Sequence, residues 1–362
     1  MTKAVIAMSG GVDSSVAAAL LKEHGYEVIG VTMKIWDGET LPGEGIHHGC
    51  YGPGEEEDIE DARKVAQILG VPFHVFDLRE EYKGEVLDYF CQEYLLGRTP
   101  NPCVRCNRRI KFDALIKKAR NNGLDFDYFA TGHYARVEYN EEKRRCLLRK
   151  ARDTRKDQSY FLYSLSQEQL GHTLFPVGSH TKEEVRSIAQ NLGLGVHDKS
   201  ESQDFIAGSY SLFMDAMAQP GPILNKQGDT LGEHRGIQFY TIGQRKGLGI
   251  SSGQPLYVTT IDHARNAIAV GTKEEIYGDE LVASELNWIA IEELKRPTDI
   301  KAKIRYLHEE AEATITPLDE DKVHVKFEEP QMAIAPGQTV VFYDGDMVMG
   351  GGTIERAGKE VE

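Results

Sequence analysis

Two short stretches carry residue types able to do covalent chemistry. One is "MSGGVDSSVAAAL", residues 8–20, with two glycines, an aspartate and two serines between a short apolar run and an Ala/Leu-rich segment. The other is "NPCVRCNRRIKF", residues 101–112, where Cys103 and Cys106 form a C-x-x-C pair among arginines. A helix N-terminus presents free N–H groups and partial positive charge, so it holds phosphate. Gly10 and Gly11 let the backbone come close to such a ligand, and Ser9, Ser14 and Ser15 add hydroxyl donors. Asp13 beside phosphate implies Mg²⁺. No Gly-Lys-Ser/Thr follows, so the loop is not a Walker A sequence, and it lacks the G-x-G-x-x-G of a dinucleotide fold. In the second stretch, Cys106 stands just before a predicted helix start that Asn107 would cap. Cationic Arg105, Arg108 and Arg109 lie alongside, and both features favour thiolate.

The remaining cysteines are Cys50, Cys91 and Cys146. Five cysteines in 362 residues do not look like a disulfide framework, so the C-x-x-C pair points to metal, cluster or sulfur chemistry. Cys91 on an apolar helix face and Cys146 in a basic hairpin read as structural. No apolar run approaches the roughly 20 residues that span a membrane. The opening "MTKAVIAMSGG" carries too short an apolar run for a signal peptide. A cytosolic, cytoplasmic protein with no membrane partner is expected.

Net charge is −15, which by itself argues against nucleic acid. The distribution argues otherwise. Residues 98–120 hold eight Lys and Arg against Asp113, and residues 143–156 hold another eight against Asp153, while acid piles up in "EEEDIED", residues 55–61. The reading is a local basic field in an acidic protein. His47 and His48, in the Gly/Pro-rich stretch 36–53, are metal-ligand types but read as solvated loop residues.

These residues need elements to position them. "KAVIAM", "YEVIGVTM" and "VPFHVFDL" read as strands. Helices are predicted from about Val12 to His24, over "DIEDARKVAQILG" ended by Gly70, over "EVLDYFCQEYLLG" and over "RIKFDALIKKARNNG". "DYFATGHYARVEY" reads as one further strand. Strands alternating with helices predict an α/β fold with a doubly wound parallel sheet and ligand sites at the strands' C-terminal ends. Beyond about 207 come Gly-rich turns with small strands, and beyond about 283 short alternating strands suggest a small β-barrel or sandwich.

The strand–SGGxDSS–helix arrangement resembles the pyrophosphate (PP) loop of ATP pyrophosphatases. That resemblance implies cleavage of ATP to AMP and pyrophosphate, with AMP attached to a substrate oxygen. With "GRTPNPCVRCNRRIKF", "ATGHYARV", "KDQSYFLYSLSQEQL", "LFPVG", "YTIGQRKGLGI" and "PGQTVVFYDGDMVMGGGTIE", the sequence resembles the tRNA-specific 2-thiouridylases over nearly the whole chain. This implies three parts: an adenine nucleotide α-hydrolase-like PP-loop domain at 1–207, a small central domain at 208–280 and a C-terminal β-barrel at 281–362. It implies ATP and Mg²⁺ as cofactors. It implies as partners a tRNA anticodon arm with its wobble uridine and a sulfur donor such as a cysteine desulfurase or relay protein. Ala7, Met8, Ser9, Gly10, Gly11, Val12, Asp13 and Ser14 would bind the phosphates, with Met33 by the adenine and Gly132 by the nucleotide. Asn101, Pro102 and Cys103 match the segment that receives the target base. His133, Lys156, Asp157, Gln158, Arg305, Tyr306 and Gln338 match tRNA-contacting positions, and Cys106 matches the first catalytic cysteine.

One departure stands out. The family's second cysteine falls in a stretch that here reads "KSESQDFIAGS", and the matching residue is Asp204. A carboxylate carries no persulfide, and Cys103 stands where many members have Asp. Three readings compete. Cys103 and Cys106 could do the persulfide and disulfide work themselves. They could ligate a [4Fe-4S] cluster, with Cys50 or Asp204 as a third ligand. Or the protein adenylates without thiolating, at the limit a homologue that only grips tRNA. Zinc would need four ligands, which are not evident. A pyrophosphatase with an amine nucleophile would be insensitive to loss of Cys106.

Overall fold

A computed structural model describes residues 1–38, 49–197, 199, 204–206 and 214–358. His47 and His48 lie outside these. The chain forms two compact units: Met1–Val86 with Pro102–Ser209 and Asp346–Val348, and Leu87–Asn101 with Tyr210–Gly345 and Met349–Glu362.

The first unit is built on five parallel strands: β1 (Lys3–Ala7), β2 (Glu27–Lys34), β4 (Phe73–Asp77), β5 (Tyr128–Thr131) and β8 (Thr173–Leu174). Their order is β4-β2-β1-β5-β8, with every pairing parallel. A parallel sheet is covered on both faces, so its central strand is apolar throughout. Ala4, Val5 and Ile6 are fully buried. Ala4 and Ile6 join one core with Val16, Ala17 and Leu20 of α1 (Val12–Glu23), Ala62 and Val65 of α2 (Glu55–Leu69), and Val185 and Ala189 of α8 (Lys182–Asn191). Each large apolar side chain buried in this way contributes roughly 1.5–3 kcal/mol. Alanines at 17, 18 and 19 of α1 favour helix and leave room for its neighbours. Gly70 closes α2 in the left-handed conformation, φ +64°, as a C-terminal glycine does.

Strand order reverses on either side of β1. β2 and β4 lie to one side and β5 to the other, so the loops after β1 and β5 border the crevice where such sheets bind ligands. The stretch read as a single strand over "DYFATGHYARVEY" is two. β5 stops at Thr131, and β6 (Ala135–Asn140) forms an antiparallel hairpin with β7 (Arg145–Lys150). The break falls at Gly132, whose backbone must turn past the N-terminus of α1. A short strand β3 (Gly49–Tyr51) pairs in parallel with β9 (Asp204–Ile206).

In the second unit, β10 (Gly221–Leu224), β11 (Thr230–His234), β12 (Tyr257–Asp262) and β13 (Ala267–Gly271) make a sheet of order β11-β10-β13-β12. Six further strands close into a barrel: β14 (Tyr277–Trp288), β15 (Thr298–Lys303), β16 (Ala311–Pro317), β17 (Val323–Met332), β18 (Thr339–Asp344) and β19 (Met347–Ala357). The ring runs β14-β17-β16-β15-β18-β19 and closes by pairing β19 with β14. Closure removes the unpaired edges of an open sheet. Helix α4 (Asp88–Leu95) belongs to this unit, with Phe90 and Tyr94 buried.

Candidate nucleotide and thiol site

The loop after β1 is held by its own hydroxyls. Ser9 N–H donates to Ser14 Oγ at 3.1 Å, while Ser14 Oγ and Ser15 Oγ donate to the Gly11 carbonyl at 3.2 and 2.8 Å. Gly10 has φ +73°, and a Cβ there would stand 2.3 Å from the Asp58 carbonyl oxygen of α2. Gly11 precedes α1 in extended conformation without a side-chain cap, so the first N–H groups of the helix are left to a ligand. Gly132 closes the crevice from the β5 side. A Cβ there would meet Ser14 N at 2.5 Å and Asp13 C at 2.7 Å, so only glycine lets the two loops touch.

Between them lies a cavity of about 200 Å³. Ala7, Met8, Ser9, Asp13, Ser14, Met33, Gly132, His133 and Gln158 line it, all named from the sequence. Thr32, Lys111, Leu115 and Thr131 complete the wall and had no role assigned.

Asp13 does not stand open to a cation. Lys182 Nζ donates to both of its carboxylate oxygens at 2.8 Å, and Tyr134 OH donates to Oδ1 at 2.8 Å. The Lys182 side chain is 8% exposed and that of Asp13 25%. Lys182 also stands 5.7 Å from the centroid of the Tyr134 ring. Neither partner was singled out in sequence. The signal was there for Lys182: Thr181 and Glu184 form a capping box, which fixes a lysine at the first position of α8. A cation there opposes the helix dipole and needs a compensating anion.

His133 is tied to Thr131 Oγ1 through Nδ1 at 2.7 Å, with Phe112 and Phe175 each 6.2 Å from its ring. Burial, with the Lys111 cation second, holds its pKa well below the usual histidine value, so the ring is neutral at physiological pH.

The thiol region differs from expectation. The helix starts at Pro102, not after Cys106: α5 (Pro102–Cys106) runs into a π-helical turn, Asn107–Ala114, and then α6 (Leu115–Asn121). Proline suits a helix's first turn. Cys103 therefore occupies that turn, and Cys106 is interior. Asn107 caps nothing; its Nδ2 donates to the Phe161 carbonyl at 3.2 Å. Arg105 is drawn to Glu85 at 2.8 Å, with Arg109 3.9 Å from the same carboxylate. Burial pushes the Cys106 thiol up to about 11, against the pull of Lys111, with Cys50 adding to the rise. For Lys111, burial works downward, but the thiols of Cys106, Cys50 and Cys103 outweigh it and lift the ammonium. Cys106 is thus a protonated thiol at neutral pH rather than the thiolate its arginines suggested. None of the five cysteines is in a disulfide.

Among the described residues no group of three or more His, Cys, Asp and Glu side chains gathers to hold a metal ion. β9 brings the Asp204 backbone beside the strand of Cys50, pairing Asp204 with Gly49.

The expected tRNA residues separate by unit. Asp157 is buried: its Oδ1 accepts from Ala151 N–H at 2.9 Å and its Oδ2 from Ser159 Oγ at 2.7 Å, so it pins its own loop. Gln158 Oε1 accepts from Tyr134 N–H at 2.9 Å, and Lys156 is half-buried nearby. In the second unit, Gln338 Nε2 donates to the carbonyls of Thr99 and Pro100, 3.1 Å each, fixing the chain that leads to Asn101. Arg305 donates to the Ala333 carbonyl, and the Lys303 ammonium stands 5.7 Å from the Tyr306 ring. The basic blocks are partly neutralised by acids, most of them from outside the blocks. Arg149 pairs with Glu138 and Asp346, Arg152 with Glu184, Arg155 with Asp153 and Glu183, and Lys118 with Glu81.

A glycine-serine loop at the switch point of a parallel sheet, feeding a helix with open N–H groups, defines a nucleotide-binding protein of the PP-loop class. Comparison with known proteins narrows this. The family model described as tRNA methyl transferase HUP domain matches residues 2–207. Models described as tRNA methyl transferase PRC-barrel domain and aminomethyltransferase beta-barrel domain match 213–272 and 278–354. The chain is 51% identical over 361 residues to the tRNA-specific 2-thiouridylase MnmA 1 of Thermoanaerobacter sp. (strain X514), covering 98% of each. It is 52% identical over 358 residues to the MnmA of Moorella thermoacetica, covering 97% of this chain and 99% of the relative. To the MnmA of Desulforamulus reducens it is 48% identical over 365 residues, covering 99% and 98%. The chain belongs to the tRNA-specific 2-thiouridylase family. No helix among the described residues is long and apolar enough to cross a membrane.

Proposed function

We propose that this protein exchanges the C2 oxygen of the tRNA wobble uridine for sulfur, using ATP. A carbonyl oxygen leaves poorly, and adenylation makes it a good leaving group. ATP enters with its Mg²⁺ as substrate, its phosphates on the N–H groups of Gly11 to Ser14. The uridine O2 attacks the α-phosphorus and pyrophosphate departs. The terminal sulfur of a Cys106 persulfide then adds at C2, and AMP leaves with the former uridine oxygen; the Cys103 thiol attacks the Cys106 sulfur, the S–S bond to the new thiouridine breaks, and the Cys103–Cys106 disulfide that remains is reduced by an external dithiol.

In this reading Asp13 is a positioning residue. It holds the Lys182 ammonium beside the phosphate loop, where positive charge favours departure of pyrophosphate. His133, being neutral, offers a hydrogen bond without adding charge. Cys106 handles the sulfur, with Lys111 stabilising its thiolate once the proton is lost. A persulfide-carrying partner supplies the sulfur, and no step runs through an iron–sulfur cluster.

The observation that carries this reading is the place of Lys111, whose charge acts on the Cys106 thiol, in the wall of the nucleotide cavity. The phosphate loop and Lys111, the cation that favours the Cys106 thiolate, line the same cavity. Full-length relatives named for thiolation support it over the methyl transfer in the family-model descriptions. The test is nucleoside analysis of unmodified tRNA incubated with the protein, Mg·ATP, cysteine persulfide as sulfur donor and a dithiol reductant. 2-Thiouridine with stoichiometric AMP is expected from wild type, and AMP without 2-thiouridine from Cys106→Ala. Normal thiouridine yield from Cys106→Ala would overturn the assignment.

A further inference from the structure

We propose that the loop carrying Arg245 and Lys246, just before β12 in the second unit, is a docking surface for the sugar-phosphate backbone of the tRNA. The proposal rests on the function inferred above and adds a second place where the substrate is gripped. In a chain of net charge −15, a polyanion binds best where cations are left without carboxylates. Many cations of the second unit are taken. Lys226 pairs with Glu275, Arg265 with Asp262, Lys301 with Glu312, Lys322 with Glu355, and Lys326 with Asp279 and Glu280. Arg245 and Lys246 are both exposed, and among the described residues neither has a carboxylate within ion-pair distance.

The loop is held in place by its own hydrogen bonds. Thr241 N–H donates to Gln244 Oε1 at 3.1 Å, and Gln244 Nε2 donates to the Lys246 carbonyl at 3.0 Å, so one amide ties the segment across itself. Gly243 N–H donates to the Val258 carbonyl at 2.8 Å and Val258 N–H to the Gln244 carbonyl at 3.0 Å, which fixes the loop on β12. Beyond Lys246 the chain borders an open hollow of about 510 Å³, which Arg245 lines together with Gly247, Gly249, Ser252 and Gln254. A guanidinium with hydroxyl, amide and glycine backbone donors is the set that contacts phosphate oxygens.

Contacts continue from this loop into the barrel. A Cβ on Gly243 would stand 2.5 Å from the Cβ of Ala333, so the two segments touch. The carbonyl of the same Ala333 accepts from the Arg305 guanidinium. Next to Arg305 comes Tyr306, with the Lys303 ammonium 5.7 Å from its ring. All of these residues belong to the second unit. Two cations without carboxylates are thus joined, through Ala333, to a guanidinium and an aromatic ring that carries a further cation. Cations alone would suit any polyanion. The ring adds a face on which a base can stack, and that combination selects nucleic acid.

The test measures the affinity of the full-length protein for end-labelled, unmodified tRNA over a series of salt concentrations, without ATP. Arg245→Gln/Lys246→Gln is expected to bind about ten-fold or more weakly than wild type. The slope of log affinity against log salt should fall by about 1–2, because each lost phosphate contact removes about one released counterion. Arg245→Lys/Lys246→Arg keeps both charges and should restore affinity and slope. Wild-type affinity and slope in the glutamine variant would overturn the surface. An equal loss in the charge-keeping variant would also overturn it, by showing a structural role for the two side chains. Thiouridine is scored separately on wild type. Binding that depends on these cations, without thiouridine formation, would refute the function and leave the surface standing.

Discussion

The phosphate loop and the thiol turn do their work in opposite ways. The loop from Ala7 to Ser14 acts through its backbone: N–H groups freed at a helix start, glycines that admit close contact, hydroxyls that lock the turn. Those properties reside in neighbouring residues, so the loop's chemistry is local. The turn from Pro102 to Lys111 acts through side chains whose reactivity is set by what covers them. Two of the arginines that promise a thiolate in sequence, Arg105 and Arg109, are directed to Glu85 in the fold, and burial drives the thiol of Cys106 to about 11. A local motif can be trusted for geometry. A thiol's protonation state depends on its tertiary surroundings.

The largest expected effect strikes the loop. Gly132→Val places carbon atoms where Ser14 N and Asp13 C already stand. AMP formation should fall by about 1,000-fold or more, roughly 4 kcal/mol of barrier, while Cys106 remains open to alkylation. A Gly132→Val protein that still makes AMP at the wild-type rate would break the claim that backbone closeness governs this region.

Lys182→Met comes next. It leaves the Asp13 carboxylate without its cation. Such a loss costs about 3–5 kcal/mol for a fully buried pair and less here, about 2–3 kcal/mol, because Asp13 keeps a quarter of its exposure. Lys182→Arg should recover most of the stability in a urea titration. The KM for ATP should change less than kcat if the ammonium assists pyrophosphate departure.

The thiol turn is probed by pH. With the Cys106 thiol near 11, its alkylation rate should climb about ten-fold per pH unit through the mildly alkaline range. A rate already flat at neutral pH would show a thiolate and erase the contrast between the two regions.

His133 gives a smaller effect. Its folded pKa lies below the unfolded value, so the unfolded chain takes up a proton first as pH falls. Stability is full above pH ~6.5 and is lost on acidification toward the folded pKa, at up to about 1.4 kcal/mol per pH unit. His133→Gln should flatten that part of the profile. Smallest of all, Arg155→Ala at the surface should change stability by less than about 1 kcal/mol despite its contacts to Asp153 and Glu183.

Much of this was legible in the sequence for identifiable reasons. Periodicity located β1, α1, β2 and α2, and the alternation of strand and helix implied the parallel sheet. Most of the residues named for the nucleotide line one cavity because they follow successive parallel strands. What escaped notice was long-range. Lys182 lies 169 residues from Asp13, and no local pattern joins them. The helix start at Pro102 was missed because Cys106 and Asn107 imitate a capped terminus, while a proline already stood at the true one. The strand break at Gly132 was hidden by the apolar residues on either side of it. The basic blocks looked unopposed because their acids, such as Asp346 and Glu184, arrive from elsewhere in the chain.

The most direct measurement uses tRNA whose wobble uridine carries heavy oxygen at C2. A single turnover with Mg·ATP and a sulfur donor is followed by mass spectrometry of the AMP. Heavy oxygen in the AMP phosphate, one atom per thiouridine formed, is the expected result, because the loop activates that oxygen before the thiols deliver sulfur. Thiouridine accompanied by unlabelled AMP would contradict the account.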